Sequence, residues 1–280
     1  MKFTKVHGLG NDFVLIDAIR APQRDYNALA KPLCHRQTGI GADGLLIVLP
    51  SEQADIRMRI INSDGSEAEM CGNGIRAFSK YVYEHGIVQK LSLTVETLAG
   101  VMKPQLVLEN GHVSGVRVDM GKPGITCADV PVEGEKQSRC LGRTLSAAGR
   151  EFTFSSVRVG VPHTAVFVDD PVQFDLAKYG PAIERHPLFP QRTNVNFVHV
   201  LDRENIVQRT WERGAGPTLA CGTGSCGSAV CCMLGGLTER AVNVHLELGS
   251  LLIEWPNEDA SVFMTGPAEL VFEGEIPDVD

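Results

Sequence analysis

The chain is short of positive charge, of aromatic residues and of long apolar runs. Lysine and arginine number 26 against 34 aspartates and glutamates, which leaves a net charge of −8, and aromatics make up 6%. A surface of that sign repels nucleic acid and anionic lipid, which are bound through basic footprints, so neither is expected as a partner. No apolar run approaches the roughly 18 residues a bilayer-crossing helix needs. The stretch from Val230 to Leu237 is short and broken by Gly235 and Gly236. No two cysteines stand in a C-x-x-C pair; that spacing is the usual mark of a zinc site, and no metal is expected. The opening Met1-Lys-Phe-Thr-Lys-Val-His7 has no apolar stretch of the kind that directs secretion, so a cytoplasmic location is expected.

What is present is a globular composition. The 280 residues are 43% hydrophobic and 21% charged, proportions that suit a packed core and a length that suits two domains. Eight cysteines in a reducing compartment are expected to stay thiols. Cys226, Cys231 and Cys232 stand in an apolar segment and read as packing residues.

Self-comparison exposes a repeat. Cys71-Gly-Asn-Gly74 and Cys221-Gly-Thr-Gly224 are the same word, 150 residues apart. At that offset Arg59 matches Arg209, Gly10 matches Gly160, Val48 matches Val198 and Gly86 matches Gly236. Fixed-offset similarity of this kind marks a repeated structural unit. Strand-like runs at 13–16, 45–48 and 57–61 are answered by 165–168 and 196–200. Each half then has one convincing helix. After Gly74, the residues Ile75, Phe78 and Val82 share a helical face, with Gly86 as the stop; after Gly224, Ser225 to Leu234 is small or apolar on nearly every side, as in a buried helix. The expected fold is α+β: two pseudo-symmetric domains, each a curved mixed sheet around a central helix. The expected boundaries are 1–118 plus 266–280 for the domain carrying Cys71 and 119–265 for the domain carrying Cys221, with the active site in the cleft between them.

Gly39-Ile-Gly-Ala-Asp-Gly44 matches the dinucleotide fingerprint G-x-G-x-x-G in letters only. That loop must follow a strand and open a helix, whereas these glycines precede the strand-like 45–48. A tight turn is the better reading. Cys-Gly-x-Gly differs, because each copy opens its helix. First-turn N–H groups have no intrahelical partner and carry the positive end of the helix dipole. A thiol there has its thiolate stabilised, and the flanking glycines let backbone amides approach a carboxylate. One such cysteine suits a hydrolase nucleophile or a buried structural residue. Two in matched domains suit inversion of an α-carbon: one thiolate removes the proton from one face, the opposing thiol protonates the other, and amides hold the charge that builds on the carboxylate. No cofactor is required.

With these features the chain resembles the diaminopimelate epimerase family. The resemblance rests on His7-Gly-Leu-Gly-Asn-Asp-Phe13, Gly39-Ile-Gly-Ala-Asp43, Asn62-Ser-Asp-Gly-Ser66 leading to Met70-Cys-Gly-Asn-Gly74, Pro162-His163, Phe189-Pro-Gln-Arg-Thr-Asn194, and Glu212-Arg-Gly-Ala-Gly216 leading to Ala220-Cys-Gly-Thr-Gly224. It implies a pyridoxal-phosphate-independent interconversion of LL- and meso-diaminopimelate in lysine and peptidoglycan synthesis. It makes Cys71 and Cys221 the acid/base pair and the amides of Gly72, Asn73, Gly222 and Thr223 the carboxylate cradle. Asn11, Gly44, Asn62, His163, Asn194, Glu212 and Arg213 become substrate-site residues; Arg213 suits a carboxylate and Glu212 an ammonium. It also implies a homodimer.

Two positions depart from the family pattern. Val161 stands where most members have asparagine, and Gly44 where some have glutamine. Three other readings stay open: a racemase of the same superfamily acting on another amino acid, a cysteine hydrolase using Cys71 and His163, and a binding module for carboxylated amino acids with inert thiols.

Overall fold

The chain divides into two compact units, Met1–Val118 with Gly266–Asp280, and Asp119–Thr265. The computed structural model describes residues 1–19 and 24–277. Among them, no helix is long and apolar enough to cross a membrane.

In the first unit, β1 (Lys2–Gly8), β2 (Asn11–Asp17), α1 (Tyr26–Cys34), β3 (Gly44–Leu49), β4 (Ile56–Asn62), β5 (Glu67–Ala68), α2 (Gly72–Glu84), β6 (Val95–Thr97) and β7 (Gly100–Met102) are followed by the hairpin β8 (Gln105–Glu109) and β9 (His112–Asp119). The sheet order is β19-β1-β2-β3-β4-β6-β7, with β19 (Glu269–Glu275) supplied by the end of the chain and β5 paired to β4. Two of its pairings, β2 with β3 and β4 with β6, are parallel, so the sheet is mixed. It curls around α2, which lies against β1, β2, β3, β4 and β19. The apolar face seen in the sequence does the packing: Ile75, Phe78 and Val82 are fully buried, and Gly86 takes the left-handed φ of +69° just past the helix end.

The second unit repeats this plan with β10 (Cys140–Ala147), β11 (Arg150–Val159), β12 (Val161–Phe167), α3 (Leu176–Glu184), β13 (Asn194–Val200), β14 (Asn205–Glu212), β15 (Gly216–Thr218), α4 (Gly222–Leu234), β16 (Ala241–Leu246), β17 (Gly249–Glu254) and β18 (Phe263–Gly266). Among the strands of this unit the order is β10-β11-β12-β13-β14-β16-β17-β18, with β15 on β14 and parallel pairs at β12/β13 and β14/β16. The repeat extends to register. Leu46 faces Ile60 in the first sheet and Asn196 faces Thr210 in the second; Phe13 faces Gly44, and His163 faces Asn194. Each pair of partners is displaced by the same 150 residues.

Each half also carries a second, shorter helix that the sequence pattern concealed. Pro32 lies inside α1 and Pro181 inside α3, and an internal proline normally ends a helix. Both helices last only nine residues, and each is started by an aspartate whose side chain accepts a first-turn N–H: Asp25 from Ala28 at 3.1 Å, Asp175 from Lys178 at 3.0 Å. Such a cap is worth about 1 kcal/mol. These helices add a second core on the outer side of each sheet, Tyr26, Ala30 and Leu33 packing with Val14, Ile16 and Ile47, and Leu176 and Ile183 with Phe154, Val195 and Phe197.

Candidate active site

In the first unit Cys71 occupies the N-cap of α2 in an extended conformation, φ −139° and ψ 120°, with Sγ accepting the Gly74 N–H at 3.4 Å. Gly72 and Asn73 supply first-turn amides of the kind that have no intrahelical acceptor. The turn between β1 and β2 brings Asn11 alongside. Its Oδ1 accepts from the Cys71 thiol at 3.4 Å and from Asn73 Nδ2 at 3.2 Å. The orientation of Asn11 is set from behind, because its Nδ2 donates to Asp43 Oδ2 at 2.8 Å and a carboxylate can only accept.

Asp43 in turn belongs to a charged cluster. Arg36 spans Asp12 and Asp43 at 2.8 Å each, and Lys5 pairs with Asp12 and with the Gly41 carbonyl. Burial pushes the Asp12 carboxyl up, but the hydrogen bonds from Arg36 and Lys5 outweigh it and hold the group below the ordinary carboxylate range. Sequence reasoning missed this support, although Asp43 sits inside the glycine-rich turn already singled out. Gly44 and Asn62 face one another across β3 and β4. Asn62 is exposed and donates to Ser66 Oγ at 2.9 Å rather than into the Cys71 cluster.

In the second unit Cys221 caps α4, also extended (φ −124°, ψ 105°), but its side chain makes no cap hydrogen bond. Its Sγ lies 3.6 Å from Thr223 Oγ1, and Gly222 and Thr223 are the first two residues of the helix. Asn194, Glu212 and Arg213 come together at one edge. Asn194 donates to the Pro162 carbonyl at 2.9 Å and accepts the Arg213 backbone N–H at 2.9 Å. The Arg213 guanidinium donates to the Gln191 carbonyl at 2.9 Å, and Glu212 accepts from Thr218 Oγ1 at 2.7 Å. Val161 is partly exposed at the start of β12.

His163, on β12, is fully buried. Burial, with the Arg213 charge adding in the same direction, pushes its imidazole down to about 3. It is therefore neutral near pH 7, and so weak a base does not draw a proton from a thiol, which argues against a Cys-His hydrolase pair. The same shift sets a stability prediction. Above the ordinary histidine range of about 6.5 both folded and unfolded chains are neutral at this position. As pH falls from there towards 3, the unfolded chain takes up a proton that the folded chain refuses, so stability is lost with slope at most about 1.4 kcal/mol per pH unit. Urea unfolding of wild type and His163→Gln between pH 7 and pH 5 is expected to show a shallower pH dependence in the variant; equal slopes would contradict a buried neutral imidazole.

A family model described as diaminopimelate epimerase matches residues 3–126 and 155–271. The diaminopimelate epimerase of Desulfitobacterium hafniense is 54% identical over 279 residues, covering 98% of this chain and 97% of that one. That of Caldanaerobacter subterraneus subsp. tengcongensis is 55% identical over 276 residues and covers 99% of each chain. Among solved structures, a PhzF-family phenazine biosynthesis protein from Bacillus anthracis aligns with TM-score 0.72 at 18% identity, covering 99% of each chain. A hydroxyproline epimerase from Agrobacterium vitis aligns with TM-score 0.65 at 17% identity, over 99% of this chain and 90% of that one. At such identities the structural matches speak to the fold.

Proposed function

The chain belongs to the diaminopimelate epimerase family and interconverts LL- and meso-diaminopimelate in lysine and peptidoglycan synthesis, and we propose that Cys71 and Cys221 are its two proton carriers. The observation that supports this most is local: in each unit a cysteine caps the central helix, followed by glycine-flanked amides. One thiolate takes the α-proton and the other thiol returns one to the opposite face. The amides of Gly72, Asn73, Gly222 and Thr223 receive the charge that develops on the reacting carboxylate, where donors fixed in advance stabilise the transition state more than the ground state.

Asn11, Gly44, Asn62, His163, Asn194, Glu212 and Arg213 complete the substrate site in this reading. Diaminopimelate has a second amino-acid head, and the planar guanidinium of Arg213 suits its carboxylate while Glu212 suits its ammonium. One thiol must be deprotonated and the other protonated for this transfer, so activity should follow a bell-shaped pH profile.

Incubation of the protein with LL-diaminopimelate in heavy water tests the reading. The expected result is meso product carrying deuterium at the inverted carbon, with no turnover of proline or histidine. Turnover of single-headed amino acids without diaminopimelate would reject the substrate assignment.

We place the enzyme in the cytoplasm, where its eight free thiols are stable, and read it as a homodimer. The edge strand β19 supports the second point. Among the described residues it pairs only with β1, and Val271 and Phe272 on it are half-exposed. An antiparallel twofold pairing of two such edges satisfies both rows of open backbone groups. Sedimentation velocity should give a dimer, and Phe272→Glu a monomer.

A further inference from the structure

The 150-residue repeat matches the bed beneath α2 with the bed beneath α4, and the two are chemically opposite. Phe13, Leu46, Met58 and Ile60 in the first unit correspond to His163, Asn196, Gln208 and Thr210 in the second, and all eight are buried. The positions are equivalent in contact as well as in register. A Cβ built on Gly74 would meet Leu46 at 3.3 Å and Phe13 at 3.6 Å; one built on Gly224 would meet Asn196 Oδ1 at 2.6 Å and Cys221 Sγ at 3.2 Å. One built on Gly227, a turn further along α4, would meet the His163 Cβ at 2.8 Å. An apolar bed needs no orienting partners. A buried polar one is costly unless its groups are hydrogen-bonded in a consistent sense.

The four polar residues form such a chain, and its direction is set at Gln208, whose Nε2 donates into the chain while its Oε1 is buried without a hydrogen-bond partner. Gln208 Nε2 donates to Thr210 Oγ1 at 2.9 Å, so the Thr210 hydroxyl proton is free to go to Asn196 Oδ1, 3.0 Å away. With Oδ1 accepting, Asn196 turns its Nδ2 to His163 Nδ1 at 3.4 Å, and an amide nitrogen only donates. Nδ1 is then the bare nitrogen and the imidazole proton sits on Nε2, which is buried without a hydrogen-bond partner.

We propose that Gln208, Thr210 and Asn196 are positioning residues that fix His163 as the neutral Nε2–H tautomer beneath the first turns of the helix carrying Cys221. His163 is thereby a hydrogen-bond donor and not a base, and the surroundings of the two cysteines are unequal although their helices match. Around His163, its register partners are Val157 and Asn194, α4 presents Gly227, and the charge acting on it is the guanidinium of Arg213. The catalytic part of this inference rests on Cys221 being a proton carrier; the tautomer does not.

Long-range proton–nitrogen NMR on the intact protein, labelled at histidine, reads the tautomer directly. Wild type is expected to show a protonated Nε2 and a bare Nδ1 from pH 8 to pH 5. Asn196→Asp replaces the donor facing Nδ1 with an acceptor and should move the proton to Nδ1. Thr210→Val removes the hydroxyl that orients Asn196 and should lower kcat about five- to tenfold with KM little changed, the scale of one lost buried hydrogen bond. It should also displace one limb of the pH profile. Thr210→Ser, which restores the hydroxyl, should recover both. A wild-type Nδ1–H, or an imidazolium near pH 7, overturns the clamp. A moved proton in Asn196→Asp with wild-type kcat and pH profile in Thr210→Val overturns its part in the reaction. Failure of the two-thiol reading would appear elsewhere, as full activity in the cysteine variants.

Discussion

Cys71→Ala and Cys221→Ala are each expected to lower the rate of diaminopimelate inversion by about 10³-fold or more, the range that positioned proton carriers contribute. Inversion needs a proton removed on one face and delivered on the other, so neither thiol can substitute for its counterpart. A variant with one thiol can still remove a proton and return it to the same face. Each variant should therefore exchange the α-hydrogen of one stereoisomer with heavy water while inverting neither. Retention of a tenth or more of wild-type inversion by either variant would falsify the two-carrier reading. The variants should also differ in stability. Cys71 Sγ accepts the Gly74 N–H, so its loss should cost about 1 kcal/mol as a lost helix cap; Cys221 makes no such side-chain bond, and its loss should cost less. Cys71→Ser, which restores a capping oxygen, separates the two effects: stability returns, and inversion stays far below wild type because a hydroxyl is a much weaker acid than a thiol.

The parts of the fold legible in the sequence were those encoded locally. Cys-Gly-x-Gly, an apolar face and a closing glycine mark α2 within 16 residues, from Cys71 to Gly86, and no distant contact is needed to read them. The same holds for α4, where apolarity on every side signals a helix enclosed by its sheet. The short helices α1 and α3 were hidden by Pro32 and Pro181, whose local helix-breaking tendency is overcome by the aspartate caps and by packing on the outer faces of the sheets. Matching Asp25 to Asp175 at the repeat offset was the signal available. The proposed site residues come from the resemblance, and what the sequence could not display is their support. Asn11 is oriented by Asp43, 32 residues away in the turn that leads into β3, and His163 by Asn196, 33 residues away on β13. Nothing in the spacing of those residues announces the contact. The repeat offset does expose one of them, because polar residues in one half align with apolar residues in the other.

Gly44 carries the second large effect. The family resemblance admits a glutamine there, which treats the position as a place for a polar substrate contact; the structure treats it as a place where no side chain fits. Gly44 opens β3 between Phe13 on one side and Asn62 on the other. A Cβ on it would lie 2.5 Å from the Ile61 carbonyl oxygen and 3.5 Å from the Asn62 Cα. The obstruction is backbone, and Ile61 is fully buried between β3 and β5, so β4 has no easy retreat. Gly44→Gln and Gly44→Ala should therefore destabilise alike, by about 2–3 kcal/mol as overpacking of a closed site does. That corresponds to a Tm lowered by roughly 4–12 °C. Activity should fall as well, because the displaced strand begins one residue after Asp43, whose carboxylate orients Asn11 against Cys71. The alanine variant decides between the two views. If the position served a polar contact, glutamine would preserve or improve substrate binding and only alanine would lose; if close backbone packing rules it, both variants melt early and both lose kcat/KM.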